Sequence, residues 1–310
     1  MAQQQNKKII GLTCGRKNGN SEILLKEACM GAEELGYGIQ IEIIRAMDLR
    51  INPCRGCQAC GGPGVESKDN RCIIKDDVEW ILEKTCLEDA ALIISFPAYH
   101  LQVNGHLKMI IDRMNPIMIR NIKVLDKSKI GALICVGGSG PDWTSMTMAT
   151  ANIFLQHTRI LVDQMQVNYA PMAGDVLAMD DKLARARELG HNVARSLLLP
   201  IQEVKYLGPR NDFECPVCHC NLFQVPHELP YVYCPVCWVQ GELVSNGKGL
   251  KVKWNQDDAR HPRFSTEAHL KHFKEQNDIL ETFRQENRDK FERKSELIKK
   301  YVDYGKIVKP

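Results

Sequence analysis

The chain has 310 residues, 44% of them apolar and 25% charged, with a net charge of +3. Its length suits one sizeable domain plus a smaller one, and so small an excess of positive charge argues against a nucleic-acid or anionic-membrane partner. No apolar run reaches transmembrane length and Met1 to Lys8 is too polar for a signal peptide, which predicts a cytoplasmic protein whose thirteen cysteines read as metal ligands before disulfides.

The first predicted element is an apolar strand, Ile9–Cys14, which passes through a small polar loop into a helix beginning at Ser21. A strand tip that turns into a helix N-terminus gathers unpaired backbone N–H groups at the positive end of the helix dipole, an arrangement that holds a phosphate. Thr13 and Ser21 add hydroxyls, Asn20 an amide and Arg16 a charge. The spacing matches neither G-x-G-x-x-G nor G-x-x-x-x-G-K-[ST], and an ordinary βα turn is the alternative reading of this stretch.

The helix Ser21–Leu35 puts Ile23, Leu24, Ala28 and Ala32 on one face, and Tyr37–Ile44 is the second strand. A loop follows with Cys54-x-x-Cys57-x-x-Cys60 and, after the eleven residues Gly61–Arg71, Cys72. Three thiols at this spacing wrap a compact iron–sulfur cluster, each reaching a different corner, and the returning loop supplies the fourth. Zinc and unligated reactive thiols are the alternatives. Asp76–Leu87 reads as a helix, Ala91–Phe96 as the third strand, and Asn104–Met118 as a helix. Ile130–Val136 is the fourth strand, Thr144–Gln156 a helix, Ile160–Val167 the fifth strand and Asp180–Leu199 a closing helix. Five strands alternating with helices predict an α/β fold, a parallel sheet covered on both faces. Right-handed crossovers then bring the loops after the strands to one edge, where such sheets bind ligands. The isolated Cys14, Cys29, Cys86 and Cys135 read as small core residues.

The loop after the third strand reads Ser95-Phe96-Pro97-Ala98-Tyr99-His100, followed by Gly105-His106-Leu107-Lys108 and Asp112-Arg113. A proline at a strand tip exposes the backbone groups after it, and Tyr99 offers a ring to a planar ligand. His100 and His106 are candidate proton donors, or plain surface residues. Together with the Thr13–Ser21 loop, this stretch resembles the NAD(P)H-dependent FMN reductases of the flavodoxin-like superfamily. Members show a Ser/Arg/Asn phosphate loop, a Pro-x-Tyr matched by Pro97 and Tyr99, and a Lys-x-x-x-Asp-Arg matched by Lys108, Asp112 and Arg113. The resemblance covers residues 8 to about 199 and implies a flavodoxin-like five-stranded sheet and an FMN cofactor. It implies a phosphate site of Thr13, Cys14, Arg16, Asn20 and Ser21, in a loop one residue shorter than the usual Ser-Gly-Ser-Pro-Arg. The ring edge would meet Pro97, Ala98, Tyr99 and His100, with Tyr99 and His100 as catalytic residues, and the Gly137-Gly138-Ser139-Gly140 loop would close over the isoalloxazine. NAD(P)H as donor and a homodimer or homotetramer follow from the same resemblance. The cysteine run is similar to that of the iron–sulfur flavoproteins, which implies a four-iron–four-sulfur cluster on Cys54, Cys57, Cys60 and Cys72. Their gap before the fourth cysteine is usually shorter.

Pro200 ends this first unit, residues 1–200. A linker, 202–213, leads to Cys215-Pro-Val-Cys218 and Cys234-Pro-Val-Cys237, two knuckles whose four thiolates suit a structural zinc ribbon. Rubredoxin-type iron uses similar knuckles but usually has glycine after the second cysteine, where this chain has His219 and Trp238; zinc is therefore favoured, with Cys220 as a spare. Gly241–Trp254 reads as a hairpin around Asn246-Gly247 and completes a module over 201–264. Residues 265–310 form a charged amphipathic helix with Leu270, Phe273, Leu280, Phe283, Phe291, Ile298 and Tyr301 along a narrow stripe. It packs on a partner or lies on its own chain, and the imperfect heptad favours the latter. The expected function is an FMN-dependent oxidoreductase passing electrons between NAD(P)H, FMN and an iron–sulfur centre or a small-molecule acceptor. The alternative is a redox-sensing flavoprotein whose ribbon and terminal helix bind a protein or nucleic acid.

Overall fold

The computed structural model describes residues 7–62, 69–227, 230–245, 247, 249–302 and 308. The polar start of the chain, the middle of the cysteine loop and Asn246 of the expected hairpin turn lie outside the described residues. Strands β1 (Lys8–Thr13), β2 (Gln40–Arg45), β3 (Ala91–Tyr99), β4 (Gln102–Val103), β5 (Lys129–Val136) and β6 (Arg159–Val167) build the main sheet. Its parallel part has the order β2-β1-β3-β5-β6, with β4 antiparallel to the end of β3. That is the flavodoxin-like arrangement, with its switch point between β1 and β3.

Alternation along the strands sends side chains into two cores. Ile10, Leu12, Leu92 and Ile94 pack with α2 (Val78–Leu82), α3 (Gly105–Ile111) and α5 (Thr147–Gln156), while Ile9 and Ile93 face α1 (Asn20–Glu34) and α6 (Asp180–Ser196). Because helices cover both faces, the central strands are continuously apolar. Helices α1 and α6 meet backbone to backbone: a Cβ on Gly190 would lie 1.8 Å from the Ala28 carbonyl oxygen, and one on Gly31 2.3 Å from that of Arg187.

Three elements differ from the sequence reading. Strand β3 runs on to Tyr99, because Ala98 and Tyr99 pair with Val103 and Gln102. His100 (φ 48°) and Leu101 (φ 69°) make the two-residue turn, both left-handed as strand twist demands there. The helix expected over Asn104–Met118 is two, α3 and α4 (Asn115–Arg120), since Pro116 fits only a first helical turn. Helix α2 passes directly into a π-helical turn at Glu83–Leu87.

The second sheet is antiparallel: β7 (Tyr231–Tyr233), β8 (Gln240–Ser245) and β9 (Leu250–Trp254), followed by α7 (Gln256–Arg260), whose first turn the Asn255 side chain caps. Its nucleus is Cys215, Cys218, Cys234 and Cys237 with Val239 and Phe264, set against Ala149 and Ile153 of α5. The segment expected as a linker lies along β6: the Leu207 N–H donates to the Val162 carbonyl at 2.7 Å, and buried Tyr206 stacks on His219 with ring centroids 3.6 Å apart.

Helix α8 (Thr266–Glu286) starts at a Ser265 cap and is followed by α9 (Arg288–Glu292) and two shorter helices. No residue of α8 is buried, so this long helix is solvated along its length. Among the described residues its first half borders the rest of the protein: Thr266 Oγ1 bonds Asp126 at 2.5 Å, and Ala268, His269, His272, Phe273 and Gln276 line a cleft of about 940 Å³. No described helix is long and apolar enough to cross a membrane.

Candidate functional site

Beyond the C-terminal ends of β1, β3, β5 and β6, three sets of loops enclose a cleft of about 290 Å³. The first wall is Gly15, Arg16, Gly19, Asn20 and Ser21, the second Pro97, Ala98 and Tyr99, and the third Val136, Gly138, Ser139, Ala170 and Pro171. Gly19 precedes α1 in extended conformation without a side-chain cap, so the first-turn N–H groups have no partner from a capping side chain. A Cβ on Gly19 would meet Arg16 Cγ at 2.8 Å, and one on Gly15 would meet Ser21 Cβ at 3.0 Å. Both glycines therefore let the loop fold tightly over the helix start.

Beneath the loop lies a charge the sequence reading did not single out. Glu22 is fully buried and accepts from Arg45 Nε at 3.0 Å, Arg45 Nη2 at 2.9 Å and the Asn18 N–H at 3.1 Å, with Lys26 Nζ 2.6 Å away. Burial pushes this carboxyl up, but the bonds from Arg45, Lys26 and Asn18 outweigh it and hold it down at about 2. The Ser95 hydroxyl donates to the Ser21 carbonyl at 2.7 Å and ties the same turn to β3.

Of the residues expected around FMN, Arg16, Asn20, Ser21, Pro97, Ala98, Tyr99, Gly138 and Ser139 line this cleft; Thr13, Cys14, His100 and Gly137 do not. Thr13 is fully buried. The Cys14 side chain is in the core, its thiol pushed up to about 12 by burial. Its N–H donates to the Ser95 carbonyl at 2.8 Å, and its carbonyl accepts from Asn104 Nδ2 at 2.7 Å. Asn20 lines the cleft, while its side-chain amide bonds to the loop after β6. Nδ2 donates to the Ala170 and Met172 carbonyls at 3.0 and 2.7 Å, and Oδ1 accepts from the Gly174 N–H at 2.9 Å. Gly137 pairs with Val167, its N–H 2.7 Å from the carbonyl, and leaves no room for a Cβ beside Thr144. His100 is exposed at its hairpin turn, and Tyr99 is 59% exposed. Ala170 and Pro171 were missed, although they follow the fifth strand and the strand-tip rule points to that position.

Cys54 and Cys57 are exposed, Cys60 and Cys72 half-buried. Burial pushes the Cys60 thiol up, with Cys72, Cys54 and Cys57 adding to the rise, so the four share one neighbourhood. They are not drawn into the tight group seen in the ribbon, where the sulfurs of Cys215, Cys218, Cys234 and Cys237 lie within 4.8 Å of one another. Bonds of about 2.3 Å to one tetrahedral ion set sulfurs roughly 3.8 Å apart, and Cys218 and Cys234 are at 3.5 Å. A four-iron cluster carries iron at alternate corners of its cube, one thiolate to each iron, and so spreads its thiolates wider than a single ion does. In the ribbon, bonds from Cys215 and then Cys218, Cys220 and Cys237 hold the Cys234 thiol well below its usual range.

The knuckles close by bonds from the His219 N–H to the Cys215 carbonyl and from the Trp238 N–H to the Cys234 carbonyl, both 2.9 Å. His219 (φ 54°) and Trp238 (φ 61°) take the left-handed conformation that glycine usually supplies. Each ring is anchored. His219 stacks on Tyr206 and pairs with Glu214 at 3.1 Å, while Trp238 stacks on Tyr233 with Arg263 over its face at 4.8 Å. The absence of glycine therefore does not bar rubredoxin-like knuckle geometry, which removes the reason given for preferring zinc.

A family model described as NADPH-dependent FMN reductase matches residues 8–171. An iron–sulfur flavoprotein of Methanocaldococcus jannaschii is 34% identical over 203 residues, covering 62% of this chain and 98% of that protein. A flavone synthase of Aspergillus candidus is 26% identical over 259 residues, 76% of this chain and 78% of that one. The solved structure of a flavone reductase has a TM-score of 0.72 at 23% identity, covering 98% of this chain and 99% of the other. That likeness extends the shared fold through the ribbon and the terminal helix. The chain belongs to the NADPH-dependent FMN reductase family and is an FMN-dependent oxidoreductase.

Proposed function

We propose that the chain passes electrons from NAD(P)H, by way of FMN in the strand-edge cleft, to an iron–sulfur centre on Cys54, Cys57, Cys60 and Cys72 or to a small-molecule acceptor. The observation that carries this reading is the meeting of an uncapped helix start, Arg16 and the Tyr99 ring in one cleft. The donor set fits a flavin mononucleotide: the first turn of α1 and Arg16 suit its phosphate, and the Pro97–Tyr99 backbone and the Tyr99 ring suit a flat polar edge. FMN, when bound, accepts a hydride and releases electrons singly.

The protein's own part is to bind and orient. Arg16 and the N–H groups of Ser21 and its neighbours would hold the phosphate, Tyr99 would cover the ring, and Gly138 and Ser139 would close over it. Tyr99 is itself 59% exposed where it lines the cleft, which supports a homodimer or homotetramer in which a second copy completes the cover. The ribbon cysteines Cys215, Cys218, Cys234 and Cys237 would hold zinc or iron as a separate centre. The flavone synthase relative, whose match reaches past the flavodoxin-like unit, makes a planar phenolic aromatic the first small molecule to test as acceptor.

The test is direct. Flavin extracted from the purified protein is expected to be FMN, and NAD(P)H is expected to bleach it anaerobically until an acceptor is added. Extraction of FAD, or no flavin binding at micromolar ligand, would overturn the reading.

A further inference from the structure

We propose that Arg113 is a positioning residue for the four-cysteine loop, clamping both of its ends and setting the reduction potential of the centre it carries. Arg113 lies between α3 and α4 and is 3% exposed. One arm of its guanidinium, Nη1, donates to Asp76 Oδ2 at 2.5 Å and to the Asn52 carbonyl at 3.1 Å. The other arm, Nη2, donates to Cys72 Sγ and to the Ile74 carbonyl, both at 3.3 Å. Asp76 closes the ring by accepting from the Asn52 N–H at 2.8 Å and from Asn52 Nδ2 at 3.0 Å. Residues just before Cys54 and just after Cys72 are thus drawn to one cation. Holding the ends together removes much of the entropy that a long loop would otherwise lose on ordering.

The contact with Cys72 has an electronic consequence. A charge-assisted N–H donor on a ligand sulfur stabilises negative charge there, and reduction adds negative charge to the centre. Arg113 therefore favours the reduced state, and it does so through one ligand of the four. A lysine keeps the charge near Asp76 but lacks the planar fork that reaches both the carboxylate and the sulfur. This inference rests on the cluster reading above.

The experiment uses full-length protein purified anaerobically, as wild type, Arg113→Lys and Arg113→Gln. Iron, sulfide and FMN are measured per chain, the broad visible absorbance beyond the flavin bands is titrated against potential, and protease cleavage between residues 52 and 76 is timed. Both variants are expected to keep FMN and to be cleaved several-fold faster. They are also expected to lose iron or to shift at least tenfold toward the oxidised centre at fixed potential, about 59 mV for one electron. Arg113→Gln leaves Asp76 unpaired and can misfold; Arg113→Lys then decides. Wild-type potential, iron content and cleavage rate in Arg113→Lys would overturn the proposal. A wild type without iron and sulfide would instead overturn the cluster reading, and the cleavage rates alone would still decide the clamp.

Discussion

Glu22 is the buried charge under the loop between β1 and α1, and its ionisation links that loop to pH. Its carboxyl is held near 2 against an ordinary 4.5, so the charged form is the one the fold stabilises. The contribution, on the order of 3 kcal/mol, is complete above the ordinary value and is lost as pH falls from there through about 2. Glu22→Gln is therefore expected to melt well below wild type at neutral pH, with the gap narrowing at about pH 3. Equal gaps at both pH values would sink this account. In the ribbon, the left-handed Trp238 reverses the usual ranking of small residues. Trp238→Ala loses the stack and keeps the strain, whereas Trp238→Gly loses the stack and relieves about 1 kcal/mol. The glycine variant is expected to give up its ribbon metal to a chelator more slowly than the alanine variant.

At the scale of elements, α1 and α6 are joined by a contact that admits no side chain at Gly190. Gly190→Val is expected to cost about 1–3 kcal/mol or more by forcing the helices apart. Because the start of α1 forms the wall of the cleft, the same substitution should weaken FMN binding without touching the cleft. Calorimetric melting and a flavin fluorescence titration check the two halves. A destabilised variant with unaltered FMN affinity would mean that the loop is held by Glu22–Arg45 and Ser95 alone, independently of the helix axis.

For the whole molecule, the terminal helices are the least self-satisfied part. Leu270 is 54%, Ile279 67%, Phe283 52% and Ile298 49% exposed, apolar surface that association with a second copy would cover. Removing residues 265–310 is expected to lower the number of subunits per particle measured by light scattering while leaving FMN bound. An unchanged subunit number would place the subunit contact on the flavodoxin-like unit instead.

The alternating strands and helices, the Pro97–Tyr99 strand tip and the paired knuckles were legible in the sequence because each is a short-range pattern. Strand periodicity and Cys-x-x-Cys spacing need only neighbouring residues to be recognised. The fates of individual polar groups were decided by the tertiary structure. Asn20 meets carbonyls 150 and 152 positions away, and Arg113 reaches a sulfur 41 positions back. Whether an amide faces a ligand or staples two loops depends on which strands lie side by side. So does the burial of Cys14, which sits at the start of the loop after β1 and yet points into the core. A buried hydrogen-bonding group takes whatever partner the fold brings within reach, and the order β2-β1-β3-β5-β6, not the local sequence, sets that reach.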